Sequence, residues 1–401
     1  MRPPQSTLKP AAVHAYAREM LVAELELKDY KGSVPAGVLA SVLLLASCWQ
    51  CSLSAACPLL REAPCAESVR KAVQAALPAR PNDLLARLLA ALRRTLPGHL
   101  GRRPLPFVID LHQRPYYGQF TRGCTRRKKK QGTRKSFTYA TLAVLAPEGR
   151  FTVGLVPTRP FMRLVTVVER LLLQAAAAGL SVAHLLLDKE FYAAEVIAFL
   201  QKHGVPFLMP MAKKAGNRHL FDGTSAVGWH RYTWATLLRR RDFKSGKSHR
   251  RQELAVTVDA CVARNPGKKK KEEEVLVYAA WGLGSWPPAL VVLRYRRRFG
   301  IEVAYRQLGQ CLAVTSSRDE RLRLLLVGVA LILCNLWAYL HSEVFATGAL
   351  GERQRHLPLL RLLSLRLALA LAIATTLGGL VSEWPAQRPL PKELREFQEA
   401  L

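Results

Sequence analysis

The chain has 401 residues, half of them hydrophobic, and carries 60 Lys and Arg against 29 Asp and Glu, a formal net charge of +31. So much apolar sequence excludes a disordered chain, and the length allows two or three domains around a large core. The charge exceeds what solubility requires and points to a polyanionic partner, either nucleic acid or an anionic membrane surface.

The opening segment, MRPPQSTLKPAAVHAYAREM, has no apolar h-region, so no secretory leader is expected. The first hundred residues read as helical throughout. Ala- and Leu-rich sequence from Gly37 to Cys48 is followed by a short element, Ser52–Leu60, and a turn at Arg61–Cys65. In Ala66–Leu77 the residues Val69, Ala72, Val73 and Ala76 share one face, and Glu67, Arg70, Lys71 and Gln74 the other. A short helix, a turn and an amphipathic helix with basic outward positions make a helix-turn-helix arrangement, although any helical bundle also supplies such pairs. Arg70 and Lys71 are its candidate DNA contacts. Asp83 is expected to cap Leu84–Leu96. The spacing of Cys48, Cys51, Cys57 and Cys65 matches no common zinc pattern, so buried thiols in a reducing compartment are expected.

After Gly101 the character changes. Residues 101–150 hold twelve Lys and Arg against Asp110 and Glu148. An apolar run, Pro104–Asp110, ends in an acid, and a basic connection, Gly123–Lys135, follows it. Ser136–Val144 and Phe151–Val156 read as strands by alternation. A helix at Met162–Ala178, a buried strand His184–Asp188, a helix Tyr192–Gly204 and a strand Val205–Met211 complete an α/β pattern. Residues 212–288 break this rhythm. Charged stretches there enclose strand-like Glu253–Ala260 and Val275–Trp281, as in an inserted β-rich subdomain. Helical pattern resumes at Ala289. The apolar runs Leu324–Leu340 and Leu367–Val381, 17 and 15 residues long, fall short of the roughly 20 that span a bilayer. Buried core helices are expected for both.

One acid at the end of an apolar strand is ordinarily a turn or cap residue. Two such acids, Asp110 and Asp188, followed by Glu302 in the arginine-rich helix YRRRFGIEVAYRQL, suggest more. Three carboxylates on separate elements can converge at one end of a sheet and hold divalent cations, with phosphate oxygens completing the shell. Two such ions activate water and stabilise a leaving oxygen in phosphoryl transfer. Tyr295, Arg298 and Glu302 fall at helical spacing on one face, with Arg306 close by. The run Arg126, Arg127, Lys128, Lys129 and Lys130 is a candidate for holding the DNA backbone. Trp229, Trp234 and Trp281 are candidates for stacking on a base.

The segments Ile109–Gly118, Leu185–Leu200 and Tyr295–Leu308 together resemble bacterial and archaeal insertion-sequence transposases of the DDE type, in the branch whose third motif reads Tyr-x-x-Arg-x-x-x-Glu. The resemblance implies a ribonuclease-H-like catalytic domain with a β-rich insertion, within an α/β chain that also has a helical N-terminal module and a helical C-terminal region. It implies Asp110, Asp188 and Glu302 as the ligands of Mg²⁺, with Mn²⁺ as a substitute, and Tyr295 and Arg298 as phosphate contacts. The Lys that the family places seven residues after its Glu is Gly309 here. Expected boundaries are 1–100 for the DNA-binding module, 101–211 and 289–345 for the catalytic core, 212–288 for the insertion and 346–401 for the C-terminal region. Expected partners are double-stranded DNA, both element ends and target, and a second copy of the chain in the DNA complex. No membrane partner is expected, and the location is the cytoplasm, at the nucleoid. A catalytically silent DNA-binding derivative and a membrane-associated basic protein stay open as other readings.

Overall fold

The computed structural model describes residues 7–121, 123–130, 132–147, 149–241, 248–266, 273–284, 286–345 and 361–381. Only the backbone is described for 127–130, 238–241, 248–252, 265–266, 273, 297 and 299–305. Five helices come first: α1 (Pro10–Glu24), α2 (Ala36–Trp49), α3 (Leu53–Ala56), α4 (Ala66–Ala76) and α5 (Pro81–Arg94). Proline opens α1 and α5 at a position where a missing N–H leaves nothing unpaired. That choice moves the start of α5 ahead of the expected cap, so Asp83 lies inside the first turn and faces the positive end of the helix dipole. Ser52 caps α3, its Oγ accepting from Ala55 N at 3.1 Å. Helix α4 buries Val69, Ala72 and Val73 and exposes Arg70 and Lys71, as its pattern requires.

The sheet is built from β1 (Leu105–Pro115), β2 (Thr125–Lys130), β3 (Thr133–Ala146), β4 (Gly149–Thr158), β5 (Val182–Leu186), β6 (Phe207–Pro210), β7 (Gly228–Arg241), β8 (Ser248–Pro266) and β9 (Glu273–Trp281). Among the described residues these nine strands form one mixed sheet in the order β2-β3-β1-β5-β6-β9-β8-β7, with β4 also paired to β3. Helices α6 (Leu164–Ala177) and α7 (Ala194–Lys202) fill the crossovers between β4, β5 and β6.

Two elements differ from the sequence expectation. The basic connection after Gly123 is a strand: β2 pairs antiparallel with β3, Arg126 opposite Lys135. Pairing with β3 supplies the backbone hydrogen bonds that five consecutive cations do not favour by propensity. The strands of residues 212–288 join the main sheet, because β9 pairs with β6 from Phe207↔Trp281 to Pro210↔Tyr278.

Three long helices follow among the described residues: α8 (Pro288–Cys311), α9 (Glu320–Glu343) and α10 (Leu362–Thr376). Residue alternation in the strands sorts the core. Phe107, Ile109, Leu185 and Leu187 pack with α6 and α7, whereas Val108, Leu186 and Leu208 pack with Val291, Val292 and Tyr295 of α8. Helices α1, α2, α4 and α5 share a further core with α9 and α10, so the first helices pack with the last described ones.

Helix α9 is 24 residues long, longer than its apolar run, and is the one described helix long and apolar enough to cross a membrane. Its apolar surface is mostly buried in the fold against α2, α5, α8 and β4. Asn335 in its middle is buried and receives Thr152 N–H of β4 on Oδ1 at 2.8 Å, while Nδ2 donates to Thr152 O at 2.8 Å and to Thr95 Oγ1 at 3.1 Å.

Candidate active site

Strand register brings the two acids together. β1 and β5 run parallel, with Val108 opposite Leu186. Asp110 and Asp188 each lie two residues beyond that pair, so both follow the face that carries Val108 and Leu186, which is the α8 face. β5 ends at Leu186, and Asp188 caps the 3₁₀ turn Lys189–Phe191. β1 continues to Pro115, so Asp110 sits within a strand that runs past its expected end, held by pairing with Thr141 of β3.

The carboxylates are oriented alike. Asp110 Oδ1 accepts from Leu111 N at 2.7 Å and Asp188 Oδ1 from Lys189 N at 2.6 Å. Each Oδ2 is thereby turned to one point, the Nη2 atom of Arg298, at 3.3 Å from Asp110 and 3.4 Å from Asp188. Arg298 and Asp110 are buried, while Asp188 is partly open to solvent.

Burial raises the Asp110 pKa to about 6, against the opposing attraction of Arg298 and the Leu111 N–H; Asp188 and Glu190 push it further up. Burial also disfavours the charge on Arg298, but Tyr295, Asp110 and Asp188 more than offset this and hold its pKa above the usual value. The two directions look inconsistent for an ion pair. They are reconciled by the cost of burying Asp110, which exceeds what one guanidinium returns at about this distance.

The remaining expected site residues fall in three places. Tyr295 is buried one turn before Arg298 on α8, and its hydroxyl donates to Leu187 O at 3.3 Å. Glu302 lies on α8 one turn beyond Arg298, on the same helix face by spacing; its side chain is outside the described residues. Among the described residues no cluster of three His, Cys, Asp or Glu side chains could hold a metal. Arg306 is exposed further along α8.

Arg126 is exposed on β2, its guanidinium 5.1 Å from the Phe120 ring, and the side chains of Arg127 and Lys128–Lys130 are outside the described residues. Arg70 and Lys71 lie on the exposed face of α4, both paired with Glu67, at 2.6 and 3.5 Å. The three tryptophans considered for stacking are all half-buried within the fold. Trp229 Nε1 donates to Trp286 O at 2.8 Å, Trp234 lies against Tyr192 and Tyr232, and Trp281 packs at the edge of the sheet core.

One residue that the sequence pattern does not single out matters for the site. Arg323 in the first turn of α9 donates to Ser317 O at 2.7 Å and Thr315 O at 3.2 Å, and its guanidinium lies 4.8 Å from the Tyr116 ring and 4.7 Å from the Phe137 ring. It ties the α8–α9 connection to the sheet end from which β1 leaves. In sequence it only flanks an apolar run, and none of its ring partners is near it in the chain.

Two carboxylates on adjacent parallel strands, facing a motif helix across the sheet, define an acid-centred site on a mixed α/β fold. The transposase DDE domain family matches residues 118–335, more than half of the chain, and the chain belongs to that family. Asp188, Arg298 and Glu302 lie within the matched span and Asp110 lies eight residues before it. A search of curated proteins finds no match. Among solved structures the chain is similar to piggyBac transposase, in the cryo-EM structure of its synaptic complex with hairpin DNA, with a TM-score of 0.51 and 10% identity over 100% of this chain and 86% of that one. At that identity the likeness is one of fold.

Proposed function

We propose that this DNA transposase cleaves and joins the ends of a mobile element by metal-dependent phosphoryl transfer, and that it belongs to the insertion-sequence branch with the Tyr-x-x-Arg-x-x-x-Glu motif, here Tyr295, Arg298 and Glu302. The observation that carries the reading is the aim of Asp110 Oδ2 and Asp188 Oδ2 at a single cationic atom. A ribonuclease-H-like core is supported by the strand order β4-β3-β1-β5-β6, in which the first three strands alternate in direction and β5 and β6 run parallel to β1.

The donor set suits a hard divalent ion. Carboxylate oxygens from two backbones already face a position that tolerates positive charge, and Glu302 on the facing helix is the third donor we assign. Mg²⁺ held by Asp110, Asp188 and Glu302 would supply activated water and charge stabilisation at the leaving oxygen. The chain's own residues do the rest. Leu111 N–H and Lys189 N–H orient the two carboxylates, Tyr295 fixes α8 against the end of β5, and Arg298 keeps two close acids from repelling one another. Arg126–Lys130 and Arg306 hold DNA phosphates, α4 reads the element ends, and the reaction takes place on nucleoid DNA in the cytoplasm, within a homodimeric complex.

The test is cleavage of element-end DNA in Mg²⁺ or Mn²⁺. Asp188→Asn and Glu302→Gln keep size and hydrogen bonding but remove ligand charge. Both are expected to abolish cleavage and strand transfer while end binding persists. A Glu302→Gln protein that cuts at the wild-type rate would refute the assignment.

A further inference from the structure

Phe161 is exposed over 89% of its surface and has a backbone φ of +65°. It sits third in the turn Arg159–Met162, closed by Met162 N–H donating to Arg159 O at 3.1 Å, with Pro160 in second place. Turns with Pro second and a positive φ third favour glycine at that third position, because a bulky side chain clashes with its own backbone there. Packing does not hold Phe161 in this strained state, since its ring touches little of the fold. Strain that stability does not explain is a mark of function.

The turn also has a telling place. β4 ends at Thr158, opposite Thr138 of β3, which lies opposite Gln113 of β1. β4 and β1 run in the same direction, so Phe161 leaves the sheet at the end that bears Asp110 and Asp188. Arg159 Nη2 reaches Glu320 Oε1 at 3.5 Å, and Glu320 in turn covers Gly123, where a Cβ would fall 2.6 Å from its Oε2. This contact joins the Phe161 turn to the β1–β2 connection, where Tyr117 and Phe120 are 70% and 45% exposed and Arg126 lies over Phe120. Exposed rings interleaved with arginine at the acid-bearing end of a basic protein fit a nucleic-acid strand whose bases are unpaired. Ring faces stack on any base, and cations follow its phosphates.

We propose that Phe161, together with Tyr117 and Phe120 of the β1–β2 connection at the same end of the sheet, forms a stacking surface for unpaired bases of the DNA strand that leaves the active site. The proposal rests on the transposase reading above, and it assigns base stacking to the turn after β4 rather than to the tryptophans of the 212–288 segment.

Two DNA probes of one arbitrary sequence test it, a blunt duplex and the same duplex with a short 3′ overhang containing 2-aminopurine. Wild-type protein is expected to quench the 2-aminopurine and to prefer the overhang. Phe161→Ala is expected to lose the quenching and to weaken overhang binding roughly tenfold, the scale of one base–aromatic stack, with blunt-duplex binding unchanged. Phe161→Trp keeps both signals. Phe161→Gly relieves the backbone strain, so its melting temperature is expected to rise while the stacking signals vanish, a combination that a merely structural residue does not give. Unchanged quenching and preference in Phe161→Ala overturn the stacking surface, and leave the transposase reading intact if Asp188→Asn still abolishes cleavage. Failure of the wild-type protein to bind either probe overturns both.

Discussion

Arg298 Nη2 stands 3.3 Å from Asp110 Oδ2, and the same atom is 3.4 Å from Asp188 Oδ2. One guanidinium therefore bridges two acids that register brings to the same place. Removing one member of a buried ion pair typically costs about 3–5 kcal/mol. Because Asp188 retains some access to water, Arg298→Ala is expected near the lower end, about 3 kcal/mol. Urea unfolding at neutral pH in the presence of a chelator measures this, and added Mn²⁺ should recover part of the loss by replacing the missing cation. Equal unfolding midpoints for the two proteins in chelator would show that Arg298 is not what holds the acids together.

The basic hairpin and α4 should differ in what they do to DNA binding. Neutralising Arg126–Lys130 frees DNA phosphates from their protein cations. The slope of log affinity against log salt should then flatten by about 0.9 for each phosphate so freed, whatever the DNA sequence. Changing Arg70 and Lys71 to Ala should instead lower the preference for element ends over random DNA, since each base contact discriminates by roughly 1–3 kcal/mol. Mobility-shift titrations over a range of salt separate the two. An unaltered salt slope would turn the hairpin away from DNA, and an unaltered preference would remove α4 from sequence reading.

Asp110 and Asp188 stand out in the sequence because apolar runs that end in Asp are short local patterns, although β1 continues past Asp110 to Pro115, and the motif helix stands out because its spacing is local too. Arg298 was legible as a motif member, but its position between the carboxylates was not, since it depends on how α8 crosses β1 and β5. β2 was hidden because its pairing with β3, not its own composition, makes it a strand. Phe161 gave no signal at all: phenylalanine does not favour positive φ, so nothing in Arg-Pro-Phe announces the strained turn.

Asn335 owes its place to partners far away in the sequence. It interrupts an apolar helix, yet its amide completes the backbone of β4 at Thr152, next to the irregular step where Gly154 pairs with Leu142 and Thr152 with Ala143. Asn335→Leu suits the helix by composition but leaves the part-buried N–H and C=O of Thr152 without their amide partner. A buried unsatisfied group costs about 1–3 kcal/mol and a part-buried one less, so a loss of about 2 kcal/mol is expected for the two together, enough to lower the urea midpoint. Wild-type stability in Asn335→Leu would mean that α9 does not meet β4 through this amide.

His184 on β5 gives the fold a pH dependence that can be assigned to one residue. Its ring packs edge-on against Trp286 at 5.1 Å between centroids, and burial, with Arg294 adding repulsion, lowers its pKa to about 4. In the unfolded chain an ordinary histidine titrates near 6.5. Above that pH both states are neutral and His184 contributes nothing to the pH dependence. Between about 6.5 and 4 the unfolded chain takes up a proton that the folded chain refuses, so stability falls as the solution is acidified. A gap of this size is worth up to about 3 kcal/mol. His184→Gln cannot titrate, so its loss of stability between pH 7 and pH 4.5 should be smaller than that of the wild type by a large part of that amount. Carboxylates that also titrate in this range act equally in both proteins and cancel in the comparison. Parallel stability curves for the two would mean that His184 accepts its proton in the folded state as readily as in water.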